Sequence, residues 1–363
     1  MTFDMSKIYN FYAGPAVIYE EVLREAKEEF DDFSGTGMSV LTISHRAKAF
    51  DAVMAEAEAN MKELMGLGDD VRVLFLQGGA SLQFSMMPMN FLTEGATGDY
   101  ILTGTWSEKA MKEAKKIGAT HVAYDGSEGH YTHVPRQNEL DLLDGAAYVH
   151  MTTNNTIYGT EFDYIPETKA PLIADMSSDI LSKPMDYSRF AMIYAGAQKN
   201  LGPAGVTAVV LKKSLLETAQ DVNATMLKYS THADKNSLYN TPPAFSVYVV
   251  NLVLRHLKKL GLENVVANNQ TKAKLIYDAI DHSNDFYKGH ADKESRSLMN
   301  ITFTMADSEL EKKFVAEGEA EGFMGIKGHR SVGGLRASVY NAMPLEGAKA
   351  LADFMAEFMR KNG

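Results

Sequence analysis

Short apolar runs that end in polar residues recur along this chain, and they constrain its fold more than any other feature. Runs with the length of buried strands occupy residues 71–77, 100–103, 120–124, 147–152, 172–175, 191–195 and 206–211. Helical or looped stretches separate them. Examples are residues 50–65, where apolar side chains recur at helical spacing until Gly66, and residues 108–117, which we also predict to be a helix. Strands that alternate with helices predict an α/β fold with a mostly parallel sheet between helices.

The alternation changes near residue 255. Residues 245–260 and 264–282 are helical, and we expect the long helix near 245–282 to bridge the two domains. Shorter strand and helix patterns then follow at residues 299–304, 308–321, 333–340 and 345–359. We therefore predict an N-terminal segment of residues 1–16, a large domain of residues 17–255 and a smaller C-terminal α+β domain of residues 256–363.

Composition excludes several classes of function. The net charge is −11, so nucleic acid and anionic membranes are poor partners for this chain. Cysteine is absent, which excludes disulfides, thiolate catalysis and cysteine-bound zinc, and we expect no metal site. The first residues do not resemble a signal peptide, and no apolar run reaches the ~18 residues of a membrane span. We therefore expect a cytoplasmic protein with no membrane association.

An acid and an amine follow two of the predicted strands. Asp175 ends one run, and Lys199 lies in a turn of small residues just after another. Pyridoxal 5′-phosphate (PLP) needs a lysine to hold its aldehyde as a Schiff base and an acid to keep its ring nitrogen protonated. The alternatives are a helix cap for Asp175 and a solvated surface amine for Lys199. The pair together favours a PLP site in the large domain.

Two further features could hold such a cofactor. Residues 78–81, Gly-Gly-Ala-Ser, follow a strand and begin a helix, where backbone N–H groups can bind a phosphate. A plain tight turn is the alternative. The only tryptophan, Trp106, follows another strand and could stack on a cofactor ring, although a core or surface position is equally compatible with the sequence.

Basic residues form two clusters that could bind an anionic substrate. His45 and Arg46 precede one predicted helix, whereas His329, Arg330 and Arg336 lie in the predicted small domain. The planar guanidinium group of arginine suits carboxylate and phosphate groups. Surface ion pairs are the alternative, and the glycine-rich stretch between Arg330 and Arg336 weakens it.

Several blocks of this sequence resemble one family. They are residues 10–16 (NFYAGPA), 44–46 (SHR), 78–81 (GGAS), 175–178 (DMSS), 198–205 (QKNLGPAG), 240–243 (NTPP) and 334–342 (GLRASVYNA). Together they resemble the phosphoserine aminotransferases, which are class V, fold-type-I PLP enzymes. The resemblance extends over essentially the whole chain.

This resemblance implies a role for each candidate residue. The implied catalytic residues are Lys199, Asp175 and Trp106. The implied cofactor-binding residues are Gly79, Ala80, Ser81, Trp106, Thr156, Asp175, Gln198, Lys199, Asn240 and Thr241. The implied substrate-binding residues are His45, Arg46, His329, Arg330 and Arg336. Asn240, Thr241, His45 and Arg46 would reach the site from a second subunit, so a homodimer with shared active sites is implied.

The implied reaction transfers an amino group from L-glutamate to 3-phosphohydroxypyruvate and gives O-phospho-L-serine and 2-oxoglutarate, a step of serine biosynthesis. Some bacterial members of the family also produce 4-phosphohydroxy-L-threonine for vitamin B6 synthesis. Two alternatives stay open from the sequence: another class V transaminase, such as an alanine–glyoxylate type, and a non-catalytic binder of phosphorylated metabolites.

Overall fold

A computed structural model describes residues 8–221 and 224–363 of the chain. Residues 1–7 of the predicted N-terminal segment lie outside the described residues. The strands are Tyr9–Asn10 (β1), Val71–Leu76 (β2), Thr97–Leu102 (β3), Ala119–Asp125 (β4), Tyr148–Thr152 (β5), Asn154–Asn155 (β6), Thr160–Glu161 (β7), Leu172–Asp175 (β8), Met192–Gly196 (β9), Thr207–Lys212 (β10), Tyr287–Gly289 (β11), Asn300–Met305 (β12), Phe323–Met324 (β13) and Leu335–Ser338 (β14). The α-helices are Glu20–Glu28 (α1), Lys48–Met65 (α2), Gly79–Phe91 (α3), Thr105–Ala114 (α4), Lys213–Leu216 (α5), Tyr229–Asp234 (α6), Ala244–Leu260 (α7), Leu262–Asp281 (α8), Ser308–Ala320 (α9) and Leu345–Asn362 (α10).

The central sheet has the strand order β2-β10-β9-β8-β5-β3-β4. The neighbouring pairs from β9 through β8, β5 and β3 to β4 are parallel, and β10 alone in this sheet runs antiparallel to both of its neighbours. β10 is antiparallel because a short loop returns the chain directly from the end of β9. The prediction of a mostly parallel α/β sheet is therefore confirmed.

Helices cover both faces of this sheet, as its apolar strands require. Along β2, the side chains of Val73 and Phe75 enter the core that includes α2 and α7, whereas Leu74 and Leu76 enter the core formed with α3 and α4. Successive side chains of a strand point to opposite faces, so one continuous apolar run serves both cores. Within residues 8–221 and 224–363, no helix is long and apolar enough to cross a membrane.

A third core lies around the small sheet β11-β12-β14 and the helices α8, α9 and α10. Phe11, from the other end of the chain, is fully buried in this core. Next to it, β1 pairs in parallel with β13, so that Tyr9 lies opposite Phe323. The N-terminal segment therefore packs with the C-terminal third of the chain. The domain boundaries themselves stay a prediction.

The helical stretch predicted over residues 245–282 does not form one long helix. It is divided into α7 and α8 at Gly261, whose positive φ of 79° is unfavourable for residues with a side chain. Val265, near the start of α8, belongs to the core beneath the large sheet, and Ile276 and Ile280 belong to the third core. The second helix alone therefore connects the two regions.

Candidate active site

Asp175 and Lys199 lie at the carboxyl edge of the central sheet, after the ends of two adjacent strands. In the β8–β9 pair, Asp175 is opposite Tyr194, and Lys199 follows three residues after the end of β9. The loop that carries Lys199 is closed at its base by a hydrogen bond from Ala197 N to Val206 O, at 3.0 Å. Parallel strands end at the same edge, and this brings the acid and the amine to one site.

The amine of Lys199 is held in place and partly desolvated. Its Nζ donates a hydrogen bond to Oγ1 of Thr156 at 2.7 Å, and Thr156 itself is only 4% exposed. Burial and the charge of Arg336 lower the pKa of Lys199, whereas the charges of Asp175 and Asp179 raise it. The resulting pKa is about 8. At that pKa about a tenth of the amine is neutral at pH 7. Lys199 is therefore suited to act as a nucleophile and as a base.

Asp175 is a buried carboxylate. It is 5% exposed, and its Oδ1 accepts a hydrogen bond from Ser177 N at 2.9 Å. Burial raises the pKa of Asp175, whereas hydrogen bonds from Ser177 and the charge of Lys199 lower it. The capping interpretation is thus partly right, since Asp175 caps the turn that follows β8. A buried carboxylate also gains from a cationic partner, which a protonated pyridine nitrogen would supply.

A buried ionic network lies behind Asp175 and holds the turn that carries it. The backbone N–H of Thr153 donates to the backbone oxygen of Asp175 at 3.1 Å, and Oγ1 of Thr153 donates to Oδ1 of Asp179 at 2.5 Å. Lys183 Nζ lies 3.8 Å from Oδ2 of Asp179 and 2.6 Å from Oε1 of Glu161. Burial raises the pKa of Asp179, Lys183 opposes this, and Glu161 adds to it. These contacts hold the turn after β8 and thereby the position of Asp175.

The glycine-led start of α3 leaves backbone N–H groups beside open space. Gly78 has a φ of 92°, and a Cβ added to it would lie 2.5 Å from Cβ of Leu82, so this position requires glycine. Gly79, with a φ of 63°, has nothing within 4 Å of an added Cβ. Ala80 and Ser81 complete the first helical turn. Unpaired N–H groups at a helix start beside open space suit a phosphate.

Trp106 lies in the first turn of α4, two residues before the start predicted for this helix. The helix begins early because Oγ of Ser107 accepts hydrogen bonds from the backbone N–H groups of Thr103 and Gly104, at 3.0 and 3.2 Å. The indole is partly buried, and its Nε1 has no hydrogen-bond partner among the described residues. The ammonium of Lys109 lies 4.5 Å from the centre of the ring.

Arg336 is joined to the lysine site through Thr156. Its Nη1 donates to the backbone oxygen of Thr156 at 3.1 Å, while its buried Nε has no partner among the described residues. Burial lowers the pKa of His329, and the charges of Arg336, Arg330 and Lys109 lower it further. Arg336, Arg330 and Lys109 therefore all act electrostatically on His329, and such a concentration of positive charge favours an anionic ligand.

The remaining candidates form no hydrogen bond with Lys199 in the described part of the chain. His45 and Arg46 precede α2. Among the described residues, the guanidinium of Arg46 makes one hydrogen bond, from Nε to Nε2 of His45 at 3.4 Å. Asn240 Nδ2 donates to Oε1 of Gln77 at 3.2 Å, and Nε2 of Gln77 donates to the backbone oxygen of Thr241 at 3.1 Å. Asn240 and Thr241 thus lie beside the residue that precedes the glycine turn.

The N-terminal segment also reaches the site. Gln198, which precedes Lys199, accepts a hydrogen bond on its backbone oxygen from Ala16 N at 2.9 Å. A Cβ added to Gly14 would lie 3.4 Å from Cγ of Lys199. The Tyr340 hydroxyl donates to Ala13 O at 2.9 Å and accepts from Asn300 Nδ2 at 3.1 Å.

Sequence reasoning assigned no role to Lys109, Tyr340 or the Asp179 network. Lys109 lies three residues after Trp106, a spacing that places two side chains on one helix face. That spacing is the one sequence signal that could have identified it. The other contacts depend on residues that are distant in the chain.

A lysine and a carboxylate at the carboxyl edge of such a sheet, beside a glycine-led helix, are typical of aminotransferases. The chain belongs to the aminotransferase class-V family, whose model matches residues 8–351. A curated relative, the phosphoserine aminotransferase of Herpetosiphon aurantiacus, is 54% identical over 358 residues, 98% of this chain and 99% of the relative. The phosphoserine aminotransferase of Bacillus subtilis is 51% identical and covers 99% of this chain and 100% of its own. The resemblance is thus confirmed.

Solved structures agree with these relatives. The phosphoserine aminotransferase of Bacillus circulans subsp. alkalophilus matches with a TM-score of 0.97 and 53% identity, over 98% of this chain and 99% of that chain. A PLP-bound phosphoserine aminotransferase from Trichomonas vaginalis matches with a TM-score of 0.91 and 37% identity, over 96% and 100% of the two chains. The fold is therefore the fold-type-I aminotransferase fold that the sequence predicted.

Proposed function

We propose that this chain is a PLP-dependent phosphoserine transaminase. It would transfer the amino group of L-glutamate to 3-phosphohydroxypyruvate and so produce O-phospho-L-serine and 2-oxoglutarate. The observation that carries this proposal is the amine of Lys199 at the carboxyl edge of the sheet, where Thr156 accepts a hydrogen bond from Lys199 Nζ on Oγ1 and one from Arg336 Nη1 on its backbone oxygen. Relatives named phosphoserine aminotransferase, 51–55% identical over nearly the whole chain, support it.

The residues present fit PLP. Open space beside Gly79 can take the cofactor phosphate at the start of α3. The partly exposed ring of Trp106 offers a face for stacking, and the buried carboxylate of Asp175 can pair with the ring nitrogen. Thr156 and Gln198 flank Lys199 and would bond substituents of the cofactor ring. When bound, PLP supplies an electron sink for the charge that develops at the substrate Cα.

The chain's own groups would divide the remaining work. Lys199 Nζ would take the proton from the substrate Cα and deliver it to the former aldehyde carbon of the cofactor, because its lowered pKa lets it exchange a proton near neutral pH. Thr156 Oγ1 would orient that amine. Asp175, held by Ser177 and Thr153, would be the charge partner of the protonated ring nitrogen. Arg336 fixes the direction of the substrate by holding its α-carboxylate.

The basic cluster in the C-terminal third favours a substrate with a second anion. Arg336, beside Lys199, would hold the α-carboxylate, and His329 with Arg330 would hold the distal phosphate or the distal carboxylate of glutamate. An alanine–glyoxylate transaminase would have no use for the second position. The cluster therefore favours phosphoserine over the alternative transaminase, and Lys199 argues against a non-catalytic binder.

Replacing either arginine with alanine should separate these roles, and this prediction also tests the proposed activity. Arg336→Ala should weaken glutamate, phosphoserine and alanine together, whereas Arg330→Ala should affect phosphoserine most, since alanine has no distal anion. A lost charge-assisted contact of about 2–5 kcal/mol corresponds to roughly 30- to several-thousand-fold in kcat/KM. The measurement is kcat/KM of each variant with the three amino acids.

An exposed arginine elsewhere provides the control. Arg360→Ala removes the same charge from the last turn of α10. There Arg360 pairs with Glu357, and neither residue is a candidate for the site. It should leave all three values near wild type. A wild-type protein that accepts alanine as readily as phosphoserine would contradict the proposed substrate.

The proposed active unit is a homodimer with shared sites. Within the described part of the single chain, no hydrogen bond joins Lys199 to the four remaining candidates, His45, Arg46, Asn240 and Thr241. Their basic and amide groups would complete the phosphate positions of a second subunit. The proposed partners are thus the small-molecule substrates and a second copy, and the proposed location is the cytoplasm. The vitamin B6 precursor 4-phosphohydroxy-L-threonine is the proposed further product.

Mixing two inactive variants tests the shared site. Lys199→Ala and Arg46→Ala subunits should each be nearly inactive alone. In a mixed dimer both lesions can fall in one site, so about one working site per heterodimer should return. The measurement is transaminase activity after refolding the mixture, with heterodimers quantified by differential tagging. Heterodimers without recovered activity would mean that Arg46 acts within its own subunit.

A further inference from the structure

The first turns of α4 are fixed against the lysine site. Nδ2 of Asn155 donates to Oγ1 of Thr103 at 3.0 Å, and the hydroxyls of Thr105 and Tyr158 lie 3.2 Å apart. Asn155 directly precedes Thr156, the residue that bonds Lys199. Side chains on this face of α4 are therefore positioned relative to the substrate, and they include both Trp106 and Lys109.

Lys109 is exposed, and no ion pair within residues 8–221 and 224–363 involves its ammonium. Its ammonium instead lies 4.5 Å from the centre of the Trp106 ring. Such a cation–π contact is weak at an exposed site, so an anion could displace it.

Lys109 is also close enough to His329 to act on it electrostatically. Burial lowers the pKa of His329, and the charge of Lys109, with those of Arg336 and Arg330, adds to that effect. Lys109 therefore connects the stacking tryptophan with the basic cluster of the C-terminal third. A flexible four-carbon stem with a compact charge can move between these two partners.

We propose that Lys109 is a specificity-determining residue for phosphorylated substrates, which rests on the proposed function. Its ammonium lies on Trp106 while no distal anion is bound and pairs with the phosphate when one arrives. A phosphate dianion attracts it more strongly than the single charge of a glutamate carboxylate, and alanine has no distal group to attract it. The preference for phosphoserine therefore depends in part on this lysine.

Kinetics of Lys109→Gln test this inference. The ratio of kcat/KM for phosphoserine to kcat/KM for alanine should fall about tenfold, mostly through the KM for phosphoserine, as expected for a partly exposed charge pair. Lys112→Gln, one turn further along α4, removes an equally exposed charge and should keep the wild-type ratio. Lys109→Arg should restore most of the ratio. An unchanged ratio in Lys109→Gln would overturn the proposal.

Trp106 provides a second measurement because it is the only tryptophan in the chain. Titrating inorganic phosphate into the holoenzyme should change the tryptophan emission as the ammonium leaves the ring. The change should persist in Lys112→Gln and disappear in Lys109→Gln. The same response in Lys109→Gln as in wild type would contradict the movement. If the wild-type enzyme did not use phosphoserine, the proposed function would be contradicted, and the inference about Lys109 with it.

Discussion

Replacing Lys199 with alanine abolishes transamination and leaves the fold and cofactor binding in place. The variant lacks both the Schiff-base amine and the group that moves the substrate proton, so we expect kcat to fall by at least about 10⁴-fold. The glycine turn at the start of α3 and the Trp106 ring are unchanged and should still hold PLP. The measurements are turnover with glutamate and 3-phosphohydroxypyruvate, and PLP binding by absorbance and equilibrium dialysis.

An exposed lysine gives the matched control for this prediction. Lys213 is an exposed lysine at the start of α5, just after the end of β10. Because β10 runs antiparallel to β9, this position lies at the sheet edge opposite Lys199. Lys213→Ala should therefore keep wild-type turnover. Substantial turnover in Lys199→Ala would contradict the assignment of this lysine. The absence of a borohydride-sensitive absorbance band from the wild-type protein would also contradict this assignment.

Replacing Asp175 with asparagine should leave PLP bound but slow the chemical step severely. Asparagine keeps an oxygen that can accept from Ser177 N, so the turn after β8 should persist. It removes the negative charge that holds the cofactor ring protonated, and the ring becomes a poorer electron sink. Loss of one preorganised electrostatic partner typically costs about 10²- to 10³-fold in rate. The measurement is the single-turnover rate with glutamate.

Asp186→Asn is the control for this second prediction. Asp186 also accepts a hydrogen bond from the backbone N–H two residues later, Ser188 N at 3.1 Å, but it is exposed and outside the site. It should therefore show a wild-type single-turnover rate. If Asp175→Asn behaved in the same way, Asp175 would be a turn cap and no more.

The sequence predicted the fold well because its strands are short, apolar and separated by clear helical patterns. Asp175 and Lys199 could be brought together from sequence because the ends of parallel strands meet at one edge, and the register of β8 and β9 agrees with this. Gly78 and Gly79 were predictable for a similar reason, since a strand followed by small residues at a helix start is a local signal.

The rest of the site depends on contacts that no local pattern encodes. Thr156 bonds Lys199 from 43 positions away, and Arg336 bonds Thr156 from 180 positions away. The start of α4 was predicted too late because a serine hydroxyl within the helix, Ser107, satisfies the backbone groups that precede it. Lys109 appeared to be one of many surface charges until the tryptophan ring beneath it was seen.

The packing of the N-terminal segment affects the order in which the molecule can be built during synthesis. The central sheet with Asp175 and Lys199 is complete once residue 212 has left the ribosome. Ala13, however, must wait for Tyr340, which lies 327 positions later and bonds its backbone oxygen. Closing so long a loop is slow and costs chain entropy. The segment beside Lys199 is therefore among the last parts of the chain to settle, and a nascent chain carries its lysine well before it has a finished pocket.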